Sequence, residues 1–359
     1  MPSLVSLPLE VLGEIGSHLN YRDLKNSSLI CKAVEPGMQM QLFRYMSFIG
    51  TRTQITEVLM RFLASVHQTR TNGMSRACRY FRIEVLPQDA DPFDECKDLL
   101  PALLISAKKY LPRATNLSLA LDGLSRGEIT SLNRMVKEVP TWDAVTVLRS
   151  DLRAPVLSFL LRYVLVNVRT VDVVPSTARH ELASIKENCP DVRKLRVNFK
   201  TPFPDLLKHL RGGIRVKINQ LDNLEQLVVQ EKGPAVRWPI GGIHRPVDIP
   251  LRLTLIADQL GGLSSLRRLS LEFHPRIMTW ILPTRRLIPG DRLRTDLDTF
   301  LMRAIVAMAA RLTQVEEICL VERSAEFNGV NLVHSGVRDS NGVMVVTIEA
   351  PGDERDWYR

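Results

Sequence analysis

The 359-residue sequence lacks most of the features that would quickly assign it a chemistry. Aromatic residues make up only 6% of the chain, and no basic segment interleaved with aromatics offers a platform for stacking bases. The five cysteines, Cys31, Cys78, Cys96, Cys189 and Cys319, stand singly, with no Cys-x-x-Cys pair and no histidines at ligand spacing. This excludes a zinc module and predicts small buried thiols in a reducing compartment. No apolar run approaches the roughly 20 residues that span a bilayer. The start lacks the basic-then-apolar order of a secretory signal, so an intracellular protein, cytoplasmic or nuclear, is expected. Four patterns are missing: the phosphate-cradling G-x-G-x-x-G and G-x-x-x-x-G-K-[ST], the nucleophile elbow G-x-S-x-G and the zinc helix H-E-x-x-H. No catalytic residue, cofactor, metal or membrane partner is therefore expected, and His180, His209 and His334 read as ordinary surface or core histidines.

What is present is ordinary globular composition, 45% hydrophobic and 24% charged, on a chain long enough for two or three domains. A net charge of +9 could serve nucleic acid or an acidic partner. The basic residues are dispersed rather than clustered, which argues against nucleic acid.

From about residue 110 one pattern recurs: apolar, two residues, apolar, two residues, apolar, one residue, apolar. It is met by Leu111, Ala114, Leu117 and Leu119, then by Val139, Trp142, Val145 and Val147, and by Leu165, Val168, Val171 and Val173. Cys189, Val192, Leu195 and Val197 follow, then Leu221, Leu224, Leu227 and Val229. Leu263, Leu266, Leu269 and Leu271 come next, and Leu312, Val315, Ile318 and Leu320 close the series. The last two apolar positions have the two-residue period of a strand with one buried face, and the earlier ones form the turn into it. Helical stretches such as "DLLPALLISAKKYL" and "DTFLMRAIVAMAARL" precede most matches. Each unit is thus helix, turn, short strand, and neighbours must stack to bury their apolar faces. "CRYFRIEVL", Cys78 to Leu86, is expected to open the parallel sheet, and "VMVVTIEA", Val343 to Ala350, to close it.

The pattern resembles the leucine-rich repeat. Its spacing is irregular, and the asparagine or cysteine that follows the strand in that family is missing, so no asparagine ladder is expected. The fold class expected is α/β: an irregular solenoid over residues 73–350 with a parallel sheet on one face and helices on the other. A doubly wound enzyme domain is the alternative, weakened by the missing glycine loops.

The chain begins differently, with "SLPLEVLGEIGSHLNYRDLKNSSLICKA", Ser6 to Ala33. Pro8 suits the first turn of a helix, and Val11, Leu12, Ile15 and Leu19 make an apolar stripe. Asp23 is a candidate N-cap for a second helix, and Met38, Leu42 and Phe43 suggest a third. Three short helices bury too little to be very stable alone, so a partner should cover the residues around Leu7 to Leu12.

These residues resemble the F-box motif. Leu7, Pro8, Glu10, Val11, Leu12, Ile15 and Leu19 match its opening. Asp23, Leu24, Leu29, Cys31, Lys32, Leu42, Phe43 and Arg44 match its continuation, with a departure at Pro36 and Gly37. The resemblance implies an F-box domain over residues 1–50 that docks on the Skp-type adaptor of a cullin-RING (SCF-type) ubiquitin ligase. The implied contacts are Leu7, Pro8, Leu9, Glu10, Val11, Leu12, Ile15, Leu19, Leu24, Leu29, Cys31 and Lys32. A helix in 51–72, with Ile55, Leu59 and Leu63 in its stripe, would join it to the solenoid, and 351–359 would form a tail. An F-box before irregular leucine-rich-like repeats is similar to fungal F-box proteins, which implies a non-catalytic substrate receptor. The alternative is a repeat-based interaction scaffold, or a nucleic-acid-associated protein, acting outside the ligase.

Two insertions, Glu231 to Pro250 and Phe273 to Leu293, follow successive strands and should leave the same edge of the sheet. They carry Arg237, Trp238, His244, Arg245, His274, Arg276, Trp280, Arg285 and Arg286. Trp and Arg are enriched in binding hot spots, so a protein substrate is expected there, with tryptophans folded onto the core as the competing reading.

Overall fold

The computed structural model describes residues 6–29, 32, 34–67, 77–87, 98–152, 154–173, 178–199, 221–231, 249–273, 290–323 and 331–349. The chain divides into two compact units, Met1–Val168 and Arg169–Arg359.

The first unit starts with α1 (Leu9–Ser17), α2 (Tyr21–Ser28) and α3 (Glu35–Leu42). Leu12, Leu24, Val34 and Met38 form their buried core, with Leu7, Leu19 and Leu42 packed against it. Pro8 is the N-cap of α1, where its missing N–H costs nothing. The cap of α2 is Asn20 rather than Asp23. Asn20 is the last extended residue, and its side chain accepts the Asp23 N–H at 2.9 Å while donating to the Asp23 carboxylate at 2.6 Å. A cap acts from the residue before the first helical turn, and the chain enters the helix three residues before Asp23. Gly37 permits close helix packing, since a Cβ there would lie 2.7 Å from Leu12 Cβ.

Four parallel strands follow in chain order: β1 (Tyr45–Gly50), β2 (Tyr80–Val85), β3 (Asn116–Ala120) and β4 (Val147–Ser150). The helices α4 (Arg52–His67), α5 (Leu99–Tyr110), α6 (Arg126–Val136) and α7 (Ala154–Tyr163) alternate with them. The sheet therefore opens at Tyr45, inside the stretch assigned to the helical domain, and Cys78–Leu86 holds its second strand. β1 escaped the sequence reading because it is an edge strand with one neighbour. Tyr45, Ser47 and Ile49 stay exposed, and α3 leads into it without the apolar turn of the later units. The α4 stripe of Ile55, Leu59, Leu63 and Val66 is buried, which makes this helix part of the first β–α unit rather than a separate linker.

The second match of the repeat lies three residues too early in the sequence. Leu117 pairs with Leu148 and Leu119 with Ser150, so the inward positions of β4 are Leu148 and Ser150, not Val145 and Val147. Trp142 and Val145 form the turn before it, with Val145 N–H donating to Trp142 O at 3.2 Å. A buried serine breaks the apolar spacing here. Its hydroxyl is occupied by the Leu152 N–H at 3.0 Å.

The second unit has β5 (Thr170–Val173), β6 (Lys194–Phe199), β7 (Gln226–Glu231), β8 (Arg268–Phe273) and β9 (Glu317–Arg323), all parallel. Its helices are α8 (Ala178–Asn188), α9 (Ile249–Leu260) and α10 (Gly290–Ala309). Every other match keeps its register. Val171, Leu195, Leu227, Leu269 and Ile318 lie in one buried row, and Val173, Val197, Val229, Leu271 and Leu320 in the next. The turn hydrogen bond recurs from Val192 to Cys189, Leu224 to Leu221, Leu266 to Leu263 and Val315 to Leu312, at 3.0–3.2 Å.

The unit ends antiparallel, with β10 (Asn331–Arg338) beside β9 and β11 (Met344–Glu349) beside β10. The closing strand is where the sequence places it; β10 lies outside the repeat pattern. Gly336 lets α10 lie on β10, since a Cβ there would lie 2.4 Å from Ile305 Cγ2. His334 is a core histidine on β10, fully buried, with Nε2 2.8 Å from Asp298 Oδ1.

The turns also carry side-chain amides that bridge neighbouring units. Asn167 donates to Asp143 O at 3.0 Å, Asn223 to Pro190 O at 3.2 Å, and Gln314 to Leu263 O at 3.1 Å. These amides lie before the strands, where they satisfy turn carbonyls that would otherwise need water. No helix among the described residues is long and apolar enough to cross a membrane.

Candidate functional site

The helices α1–α3 divide the residues implicated in docking into a core and a surface. Leu12 and Leu24 are buried and hold the helices together. Leu7 and Leu19 are half-buried against them. Leu9, Val11 and Ile15 remain 53%, 42% and 36% exposed, and Leu29, at the C-cap of α2, is 74% exposed. Pro8, Glu10 and Lys32 are also exposed, whereas the Cys31 side chain lies outside the described residues. Val11 and Ile15, four apart, share one flank of α1. A helical cap that only sealed a repeat array would carry a polar outer face; this one presents β-branched and leucine side chains.

A second accessible surface is the face of the first unit's sheet opposite its buried leucine rows. There Tyr45 and Tyr80 are register partners with ring centroids 5.9 Å apart. Arg82 pairs with Glu84 two residues along the same strand, and exposed Arg149 belongs to the same face of β4. Tyr45 is 66% exposed, and the Arg44 guanidinium lies 5.9 Å from its ring centroid. No sequence signal marks this surface, because Tyr45 belongs to an edge strand without the repeat's turn and because alternation does not tell an open outer face from a covered one.

In the second unit the corresponding face is polar, with Lys194 and Arg268 exposed and the residues beyond them on the same strands buried. Asn198, Gln230, Ser270 and Glu272 are each 2% exposed. Arg196 donates to Gln230 Oε1 at 2.9 Å, Gln230 Nε2 donates to Glu272 Oε2 at 2.7 Å, and Arg196 lies 3.8 Å from Glu272 Oε1. Asn198 donates to Asp172 Oδ1 at 2.8 Å. These side-chain contacts link β5 through β8.

Arg237, Trp238, His244, Arg245, His274, Arg276, Trp280, Arg285 and Arg286 all lie outside the described residues. β7 and β8 are parallel neighbours with Gln230 opposite Glu272, so the chain leaves both strands at the same end of the sheet.

Among the described residues no group of three or more His, Cys, Asp or Glu side chains could hold a metal ion. The described cysteines Cys78, Cys189 and Cys319 are buried. Burial pushes the Cys78 thiol up to about 11 and the Cys189 thiol up to about 12. Thiols so protonated are poor nucleophiles and act as small core hydrophobes. No family model matches the chain, and no curated protein is significantly similar to it in sequence.

Proposed function

We propose that this chain is a substrate-recognition adaptor of an SCF-type ubiquitin ligase. In this reading α1–α3 are an F-box that binds the Skp-type adaptor, and the α/β repeats present a protein substrate. The observation that carries it is the division of labour within the N-terminal helices. They have their own core of Leu12, Leu24, Val34 and Met38, yet leave Leu9, Val11, Ile15 and Leu29 facing solvent. A unit that spends its best apolar residues on the surface is suited to an obligate partner. The resemblance of Leu7, Pro8, Glu10 and the residues after them to the F-box motif gives that partner its class. Substrate contacts are assigned to the exposed tyrosine–arginine face of the first sheet and to the two insertions that follow β7 and β8 in the sequence.

The test is calorimetric titration of a recombinant Skp-type adaptor into the full chain. The wild-type chain should bind. Val11→Asp and Ile15→Asp, both at exposed positions, should weaken binding at least tenfold while leaving the circular dichroism and melting profile unchanged. No binding by the wild-type chain, or wild-type affinity in both variants, would overturn the F-box reading and leave a scaffold acting outside the ligase.

A further inference from the structure

Successive strands of both units are entered in the same way. The carbonyl of the residue before a strand accepts two backbone N–H groups from the start of the next one, at 2.8–3.0 Å. Arg44 O receives Arg79 and Tyr80, Arg79 O receives Thr115 and Asn116, Arg193 O receives Glu225 and Gln226, and Arg267 O receives Glu316 and Glu317. These residues therefore hold one equivalent position, and their side chains can be compared strand by strand. In the second unit the row reads Arg169, Arg193, Glu225, Arg267, Glu316. It carries its own carboxylates: Arg193 meets Glu225 at 3.1 Å and Arg267 meets Glu316 at 3.5 Å. One residue further, Arg268 meets Glu317 at 3.3 Å.

In the first unit the same row reads Arg44, Arg79, Thr115, Thr146, with no carboxylate in it. Arg44 and Arg79 are neighbours on adjacent strands, an arrangement of like charges that opposes pairing. The Arg79 guanidinium donates to Arg113 O at 3.1 Å, which places a third arginine at this end of the sheet. Arg44 and Arg113 are exposed and Arg79 is half-buried. Among the described residues none of the three has a carboxylate partner. Tyr45 and Tyr80 stand beside them, packed on each other, with the Arg44 guanidinium 5.9 Å from the Tyr45 ring centroid. An anion supplied from outside would relieve the repulsion, and the second unit shows which anion the position accepts.

We propose that this end of the first sheet, at Arg44, Tyr45, Arg79, Tyr80 and Arg113, binds an extended acidic segment of a protein substrate. Its Asp and Glu carboxylates fill the role that Glu225 and Glu316 play for Arg193 and Arg267. Parallel neighbours lie about 4.8 Å apart, so the three arginines span roughly 10 Å, the length of about three extended residues. A guanidinium presents a planar fork that matches a carboxylate, and several such pairs on one short segment add selectivity that a single exposed pair lacks. The tyrosine rings supply apolar surface beside the charges for the stems of the acidic side chains. The proposal rests on the assignment of substrate contacts to this face. It does not rest on adaptor docking, since none of the five residues belongs to α1–α3.

The test titrates the full chain into fluorescein-labelled hexaglutamate, hexaglutamine and hexathymidylate, read by fluorescence anisotropy. Hexaglutamate should bind and weaken as salt is raised, with hexaglutamine at least tenfold weaker. Arg44→Gln combined with Arg113→Gln should lose at least tenfold in hexaglutamate affinity. Arg193→Gln combined with Arg311→Gln removes the same charge from arginines that already hold Glu225 and Asp258, and should stay within threefold of the wild type. Arg44→Lys combined with Arg113→Lys keeps the charge and should stay within fivefold. Four results would each overturn the proposal: equal losses in the two glutamine variants, equal binding of hexaglutamate and hexaglutamine, tighter binding of hexathymidylate than of hexaglutamate, or no hexaglutamate binding. The adaptor titration separates this failure from that of the F-box reading. Adaptor binding without hexaglutamate binding removes this site and leaves the F-box, whereas the reverse leaves an acidic-peptide site on a chain outside the ligase.

Discussion

Leu227→Ala tests the repeat register at its centre. Leu227 is fully buried in β7, with Leu195 of β6 and Leu269 of β8 as its register partners. The substitution removes three carbons from the core, worth about 2.4 kcal/mol at ~0.8 kcal/mol per buried group. A cavity contribution adds to this, because β6 and β8 are held in place by their own backbone ladders and cannot close onto the space. The total should fall at about 3–4 kcal/mol, within the range for buried Leu→Ala changes. For a unit of this size each kcal/mol moves the melting temperature by roughly 2–4 °C, so a drop of about 6–16 °C is expected. Glu225→Ala is the control. Glu225 holds Arg193 at 3.1 Å, with both side chains about half exposed, and such pairs contribute at most about 1 kcal/mol. Hydrogen exchange resolved by segment should show lost protection in β6–β8, whose inward rows adjoin the change. If Leu227→Ala costs no more than Glu225→Ala, the inward assignment of Leu195, Leu227 and Leu269 is wrong.

The close contact at Gly37 makes a second expectation. Gly37→Ala would push a methyl to within 2.7 Å of Leu12 Cβ, so α1 and α3 must separate at a cost of about 1–3 kcal/mol. Denaturant melts of the chain should register this in the helical N-terminus, and an unchanged midpoint would show that the helices can part freely. Asp98 supplies a pH dependence: the Ser131 hydroxyl and the Arg134 guanidinium, the latter at 3.2 Å, hold its carboxyl below its ordinary value of 3.8. A pKa lowered in the folded state stabilises the fold above about pH 4, and that stability is lost as pH falls through the folded value. Asp98→Asn should therefore melt below the wild type at neutral pH and converge with it in acid. A constant difference from pH 7 to pH 3 would assign the effect to packing instead.

The sequence alone determined the periodic part of this protein. The rows through Val171, Leu195, Leu227, Leu269 and Ile318 could be read because a buried strand face repeats every two residues and a turn fixes the spacing before it. The N-terminal helices were legible for a related reason, since Leu12 and Leu19 in one stretch and Met38 and Leu42 in another fall at helical intervals and pack into one small core. The tertiary structure decided the rest. Val147 outranked Leu148 in the sequence only because a buried serine interrupted the apolar spacing; pairing with Leu117 settles the register. β1 and β10 depend on which neighbour a strand meets, and Asn20 caps α2 because of where the chain turns. The open face around Tyr45 and the closed network around Glu272 have the same strand alternation, so only what lies over each face separates them. Local spacing is written in consecutive residues, whereas burial and partner choice depend on groups brought together from far along the chain.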